Sequence, residues 1–289
     1  MPTYPGIDGT PLHYDELGRP ESAGAPPLIT LAGGPARHPR YLGDLAGLGT
    51  RHRLVVPHLR GVGHSPDPAA VELGSWWCQA EDLDRLRGHL GLEQLLLVAH
   101  SAGTRLAISY AARFPSRIIG LVLITPPADD LVDVPSDVEE LRSARRGEPA
   151  LAAAIEAWRV GPEFHHDAFD EWQARVAPLG YAAWGGTEQA HAADAEHGLA
   201  AIQAYFSVQP PEDLAARLGG VEAPVLVVAG AQDLVTGLAP VLALADLFPA
   251  GEAVTIADSG HYPWVEQPAA FRQAVDGFLD TVAPPAPAG

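Results

Sequence analysis

The segment Val98-Ala99-His100-Ser101-Ala102-Gly103 constrains this chain more than any other. The apolar run Leu95-Leu96-Leu97 leads into it, and a helical pattern over residues 104–114 leaves it. A serine between a buried strand and a helix sits on a tight turn whose neighbours two positions to either side must be small, as Ala99 and Gly103 are. Such a turn lifts the Ser101 hydroxyl clear of a sheet. The helix that follows points unpaired backbone N–H groups at whatever the hydroxyl attacks, with the Ala102 N–H placed to meet a developing oxyanion. Taken alone, the segment also allows a strand-helix junction whose serine merely caps the helix.

Elsewhere the chain alternates in the same way. Short apolar runs at residues 27–32, 54–57, 95–99, 118–124, 224–229 and 253–257 read as strands, with a hairpin arm at 9–16. Helical patterns occupy 40–48, 75–90, 104–114, 238–247 and 268–279. Strands apolar along nearly their whole length, separated by helices, predict an α/β fold with a mostly parallel central sheet covered on both faces. Over residues 128–213 the sequence becomes Ala-rich, acidic and helical, and it carries Trp158, Trp172 and Trp184. The expectation is a helical cap inserted into a core made of residues 1–127 and 214–282. A Pro/Ala-rich tail, 283–289, is expected to be disordered.

Composition excludes several functions. No apolar run in the 289 residues approaches the roughly 20 residues of a membrane span. The first residues lack the basic and then apolar pattern of a secretory signal, which makes the cytoplasm the expected location. A net charge of −18 without a basic cluster argues against nucleic acid as a partner. The single cysteine, Cys78, cannot form an internal disulfide and reads as a packed thiol beside Trp76 and Trp77. Residues 128–211 hold 15 acidic against 5 basic side chains. That excess is either a solvated helix surface or a field that draws a substrate amine.

A serine hydroxyl is a weak nucleophile at neutral pH, and it needs an adjacent base whose tautomer is fixed by a third group. Gly230-Ala231-Gln232-Asp233 follows a predicted strand, which places Asp233 at the sheet edge where Ser101 also lies. Ser259-Gly260-His261-Tyr262-Pro263-Trp264 follows the last strand and places His261 at the same edge. Singly, Asp233 also reads as a turn residue and His261 as a structural histidine; with Ser101 they form a candidate triad. Ala32-Gly33-Gly34-Pro35 follows an early strand, and Gly34 offers a second backbone N–H for an oxyanion. His58 and His64 read as turn residues, whereas His100, beside the serine, is a candidate for substrate contact.

With these residues in place, the sequence resembles the α/β-hydrolase superfamily of serine hydrolases, and within it the proline iminopeptidase group. The resemblance rests on Gly33-Gly34-Pro35 leading to Tyr41-Leu42, on Arg60-Gly61-Val62-Gly63-His64-Ser65, and on Ser101, Asp233 and His261 in that order. It implies an α/β-hydrolase fold, a Ser101-His261-Asp233 triad, oxyanion donors at Gly34 and Ala102, and no metal or organic cofactor. Three places depart from the group: Ala32 stands for its histidine, His58 for its aspartate, and Ala99-His100 for its usual glycine and small or aromatic pair. Iminopeptidases hold the substrate amine with cap glutamates, one of them just before a Tyr-Phe pair. Here neutral Gln203 precedes Tyr205-Phe206, with Glu188 and Glu196 as substitutes.

The expected activity is a cofactor-independent serine hydrolase that cleaves a small, mostly hydrophobic ester or amide through an acyl-enzyme. His100, Trp184, Gln203, Tyr205 and Trp264 are its substrate-binding candidates. One alternative is a proline iminopeptidase acting on short peptides. The other is a non-hydrolytic binding protein or biosynthetic catalyst on the same fold.

Overall fold

Eight strands build one sheet: β1 (Thr3–Pro5), β2 (Pro11–Leu17), β3 (Leu28–Leu31), β4 (Leu54–Pro57), β5 (Leu95–His100), β6 (Ile118–Ile124), β7 (Val225–Gly230) and β8 (Gly251–Ile256). Their spatial order is β1-β2-β4-β3-β5-β6-β7-β8. The β1–β2 and β2–β4 pairs are antiparallel and every other pair is parallel. The coordinates, a computed structural model, describe residues 2–18, 26–163, 165–194 and 196–283. Residues 284–289 of the tail expected to be disordered lie outside them.

The sheet is two-sided because its central strands are apolar at consecutive positions. Leu95, Leu97 and Ala99 of β5 pack on one face with α1 (Gln79–His89) and α2 (Gly103–Arg113). Leu96 and Val98 pack on the other with the closing helix, whose Phe271, Val275 and Leu279 recur at intervals of four. Each of those three side chains is fully buried and contributes about 1.5–3 kcal/mol. In a parallel sheet of this kind the loops at the carboxyl ends of the strands are where ligands bind.

Between β6 and β7 lie the helices α3 (Val138–Ala144), α4 (Pro149–Val160), α5 (His166–Val176), α6 (Gly186–Ala193), α7 (Leu199–Tyr205) and α8 (Leu214–Leu218). Part of this segment has its own small core, in which Leu151, Ala154, Ala157, Val176 and Leu179 pack with Leu234 from the loop after β7. Leu214 and Leu218 of α8 belong instead to the α2 face of the sheet. After β7 come α9 (Ala239–Ala243), α10 (Pro263–Glu266) and the closing helix α11 (Pro268–Val282).

One local expectation needs correction, and one strand was not foreseen. Residues 40–48 are not a helix but two 3-10 turns, Pro39–Leu42 and Leu48–Thr50, because Gly43 and Gly47 take positive φ and break the ladder. The strand β1 carried no signal in the sequence. It is a three-residue edge strand whose Tyr4 alone is buried, and the fully buried Arg60 holds the adjoining turn by pairing with Asp8 and Asp82.

Candidate active site

Ser101 directly follows β5 with φ +50°. A left-handed backbone costs a non-glycine residue on the order of 1 kcal/mol, and the surroundings hold it there. Ser101 N–H donates to the Ile124 carbonyl at 2.8 Å. Its own carbonyl accepts from the Thr104 N–H and hydroxyl at 2.9 and 2.6 Å. A Cβ on Gly33 would lie 2.7 Å from that of Ser101, and one on Gly103 would strike the Ala32 carbonyl. The turn is therefore closed by small residues, for the steric reason read from the sequence.

Asp233 is fully buried in the loop after β7, and His261, 4 % exposed, lies in the loop after β8. The two loops touch where Gly230 meets the Gly260 backbone, an approach no side chain would allow. Asp233 Oδ2 lies 2.7 Å from His261 Nδ1 and accepts from the Thr236 hydroxyl at 2.5 Å. Its Oδ1 accepts from the Val235 and Thr236 N–H groups at 2.8 and 3.2 Å. Burial pushes the Asp233 carboxyl up, but the His261 imidazole and these donors outweigh it and hold the pKa below the ordinary carboxylate value. An ionised Asp233 fixes the His261 proton on Nδ1 and leaves Nε2 as an acceptor. Among the described residues no hydrogen bond joins the Ser101 hydroxyl to His261.

The His261 backbone is fixed from several sides. Its carbonyl accepts from the Thr125 hydroxyl at 3.1 Å and from His100 Nε2 at 3.0 Å, and its N–H donates to the Gly180 carbonyl at 2.8 Å. The Tyr41 hydroxyl accepts from the Gly33 N–H and donates to His100 Nδ1, each over 2.7 Å. The His100 ring, 2 % exposed, thus links the Gly33, Ser101 and His261 loops. Burial first, and the nearby His261 second, keep His100 neutral, with its pKa well below the usual histidine value. With both nitrogens engaged it is a brace, a correction to its expected contact with substrate.

The other sequence candidates separate. The Gly34 N–H and Ala102 N–H donate to no described residue, and Gly34 takes φ +52°. Tyr205 is buried, and its hydroxyl donates to the Ala102 carbonyl at 2.7 Å. Trp264 is buried, with its ring 4.8 Å from that of His100, and belongs to the core of the α11 face. Trp184 is half-buried against Tyr181. Gln203 is exposed on α7. Of its substitutes, Glu188 accepts from the Gly185 N–H within its own helix turn and the exposed Glu196 pairs with Arg40.

Glu266 was missed. It accepts from the Gly260, Ala182 and Ala183 N–H groups and so joins the His261 loop to the helical segment. Arg37 was missed as well: its side chain packs on Gly34, is 6 % exposed, and lines a cleft of about 290 Å³ with Gly34, Tyr181, His197 and Tyr262. Neither residue sits in a spacing that marks it in a single sequence.

One group of metal-ligand type occurs among the described residues: His13, Asp15 and His58. Both histidines turn Nε2 to Asp15 at 2.9 Å. The His64 N–H, however, donates to His58 Nδ1 at 3.2 Å, so the His58 proton is on Nε2. Metal at Nε2 would need the opposite tautomer. The cluster is a hydrogen-bonded brace between β2 and the turn after β4.

The sequence pattern described as the alpha/beta hydrolase fold matches residues 26–268. A proline iminopeptidase of Arabidopsis thaliana is 30% identical over 118 residues, which cover 39% of this chain and 29% of that protein. The chain matches about a third of the length of the first curated relatives. Among solved structures, the esterase RhEst1 from Rhodococcus sp. ECU1013 has TM-score 0.72 and 22% identity, covering 98% of this chain and 99% of the other. The proline iminopeptidase of Mycobacterium smegmatis has TM-score 0.70 and 21% identity, covering 97% and 98%. At those identities the two structures speak for the fold.

Proposed function

The chain belongs to the alpha/beta hydrolase fold family, and from that premise we propose that it is a serine hydrolase cleaving a small ester or amide through an acyl-enzyme. The observation that carries the reading is the His261 Nδ1 to Asp233 Oδ2 contact of 2.7 Å at the sheet edge that bears Ser101 on its left-handed turn. In this reading the Ser101 hydroxyl attacks the scissile carbonyl and His261 Nε2 takes its proton. Asp233 holds the ring and balances the imidazolium that forms. The Ser101 to His261 hydrogen bond closes when substrate binds, as such bonds often do. The Gly34 and Ala102 N–H groups receive the oxyanion, each worth about 10²–10³ in rate. His261 returns the proton to the leaving group, and water then releases the acyl group.

Residues 128–213 serve as a cap over this edge, a role supported by the Tyr205 hydroxyl on the Ala102 carbonyl and the Gly180 carbonyl on the His261 N–H. The partial match to proline iminopeptidases supports a second reading, release of an N-terminal proline. The exposed Gln203 and the locally engaged Glu188 and Glu196 weigh against an amine site of that group's kind.

The test is labelling by an active-serine phosphonate, followed by kcat/KM for a short-chain aryl ester against a prolyl anilide. Labelling that disappears in Ser101→Ala, with the ester preferred, supports the first reading, and preference for the anilide supports the second. A folded protein that stays unlabelled fails both and leaves a binding role.

A further inference from the structure

Arg37 is a buried cation for which no described carboxylate lies within ion-pairing distance. Its NH2 donates to the Asp194 carbonyl at 2.9 Å and its NH1 to the Tyr262 hydroxyl at 3.3 Å. Its Nε is buried without a partner, and the guanidinium lies 3.9 Å from the centroid of the Tyr41 ring. Two neutral acceptors and an aromatic face do not neutralise a charge withdrawn from water. The neighbouring acids do not supply it either. The Asp194 and Glu196 carboxylates both pair with Arg40, at 2.6 and 2.9 Å, and Asp170 is exposed at the mouth of the cleft.

The place of this charge is specific. Arg37 packs on Gly34, and Gly34 and Tyr262 form part of the cleft wall. Gly34 follows Gly33, whose Cα faces Ser101, and Tyr262 follows His261. A ligand in the cleft therefore touches Gly34 and Tyr262, the chain neighbours of Gly33 and His261, while Ser101 itself lies beyond the cleft wall. A volume of about 290 Å³ fits a chain of a few carbons.

We infer that the cleft takes the carboxylate of a short substrate, so that the protein acts on monoesters or monoamides of small dicarboxylic acids with Arg37 as the specificity-determining residue. This deepens the serine hydrolase reading and rests on it. Of the five guanidinium N–H donors two are engaged and the Nε one is buried, which leaves one on each terminal nitrogen as a planar pair for a carboxylate. The scissile carbonyl then lies toward Ser101 and the alcohol or amine departs with the proton that His261 carries. The net charge of −18 repels anions at long range, so such a substrate needs a local cation to be held at all.

The experiment compares the 4-nitrophenyl monoester of glutaric acid with the same ester methylated at its free carboxyl. Wild type should favour the free acid in kcat/KM by about ten-fold or more, a charge-assisted preference, and Arg37→Gln should bring that ratio to within about two-fold of one. Equal turnover of the two esters by wild type, or the same ratio in wild type and Arg37→Gln, would overturn the proposal. Should Arg37→Gln not fold, Arg37→Lys replaces it: retaining the charge but not the fork, it should give an intermediate ratio, and a ratio equal to wild type counts against Arg37. Binding is read apart from chemistry by the rise in Tm with monomethyl glutarate over dimethyl glutarate. If no ester turns over and phosphonate does not label Ser101, the hydrolase reading fails. The anion site then stands if the monomethyl glutarate shift is present in wild type and lost in Arg37→Gln, and falls if it is not.

Discussion

His100 Nε2 donates to the carbonyl of His261 across 3.0 Å. The residue before the serine therefore sets the backbone from which the imidazole hangs. His100→Leu keeps the apolar packing on Trp264 but leaves the buried Tyr41 hydroxyl without its acceptor. Losing a buried partner costs about 1–3 kcal/mol, which lowers Tm by several degrees in a chain of this size. Misplacement of His261 should lower kcat by about ten-fold or more with KM little changed. Calorimetry and ester kinetics check the two effects, and a variant with wild-type kcat would show that His100 only fills space.

The left-handed Ser101 gives a second prediction, in which two variants equally without activity differ in stability. Glycine adopts φ +50° without penalty. Ser101→Gly should therefore be about 1 kcal/mol more stable than Ser101→Ala, and neither should turn over an ester above background. Urea midpoints of the two variants, compared with wild type, measure the strain that the turn holds.

The strand-turn-helix at Ser101 was legible because its sterics leave few options: Gly103 has no room for a side chain, and neither has Gly33, which faces Ser101 from another loop. The strands of the sheet centre were legible for a related reason, since β3, β5 and β7 are buried at every position and read as nearly unbroken apolar runs. Asp233 could be placed because it follows such a strand, and His261 because it follows the short apolar run of the last strand, each beside a glycine; Gly230 and Gly260 touch. What stayed hidden depends on long-range meetings. Glu266 acts on Gly260 and on Ala182, 84 residues away in sequence, and Arg37 reaches Tyr262 over a separation of 225. The failed helix at 40–48 had a local cause, the weight of its apolar pattern against two glycines. Gln203 marks the reach of the resemblance, which transfers position in a motif but not the direction of a side chain on a short helix.

That distinction yields a paired test on α7. Tyr205 is buried with its hydroxyl on the Ala102 carbonyl, whereas Gln203, two residues earlier, is exposed. Tyr205→Phe should cost about 1 kcal/mol of stability and lower kcat/KM several-fold by loosening the turn that carries the Ala102 N–H. Gln203→Ala should change kcat/KM less than two-fold and stability within about 0.5 kcal/mol. If Gln203→Ala instead raised KM for a prolyl anilide alone, the amine site of the iminopeptidase reading would be restored.

Acid should unfold this protein earlier than its carboxylates would suggest, because several histidines are buried neutral. Burial, followed by the charge of Arg37, pushes the His197 pKa down to about 4 from the ordinary 6.5. The unfolded chain thus binds a proton below pH 6.5 that the folded chain refuses until about pH 4. The stability associated with neutral His197 is complete above pH 6.5 and is lost as pH falls toward 4. With its partly exposed edge discounted, that loss is on the order of 2 kcal/mol across the window. His191 and His100, whose pKa values burial also lowers, add in the same direction. His197→Phe retains the ring contact with Phe169 and removes the titration. Its urea midpoint should therefore fall less than that of wild type between pH 7 and pH 4.5. Equal falls in the two proteins would mean that His197 takes up its proton in the folded state as it does in the unfolded chain, so that burial and the nearby Arg37 do not hold it neutral.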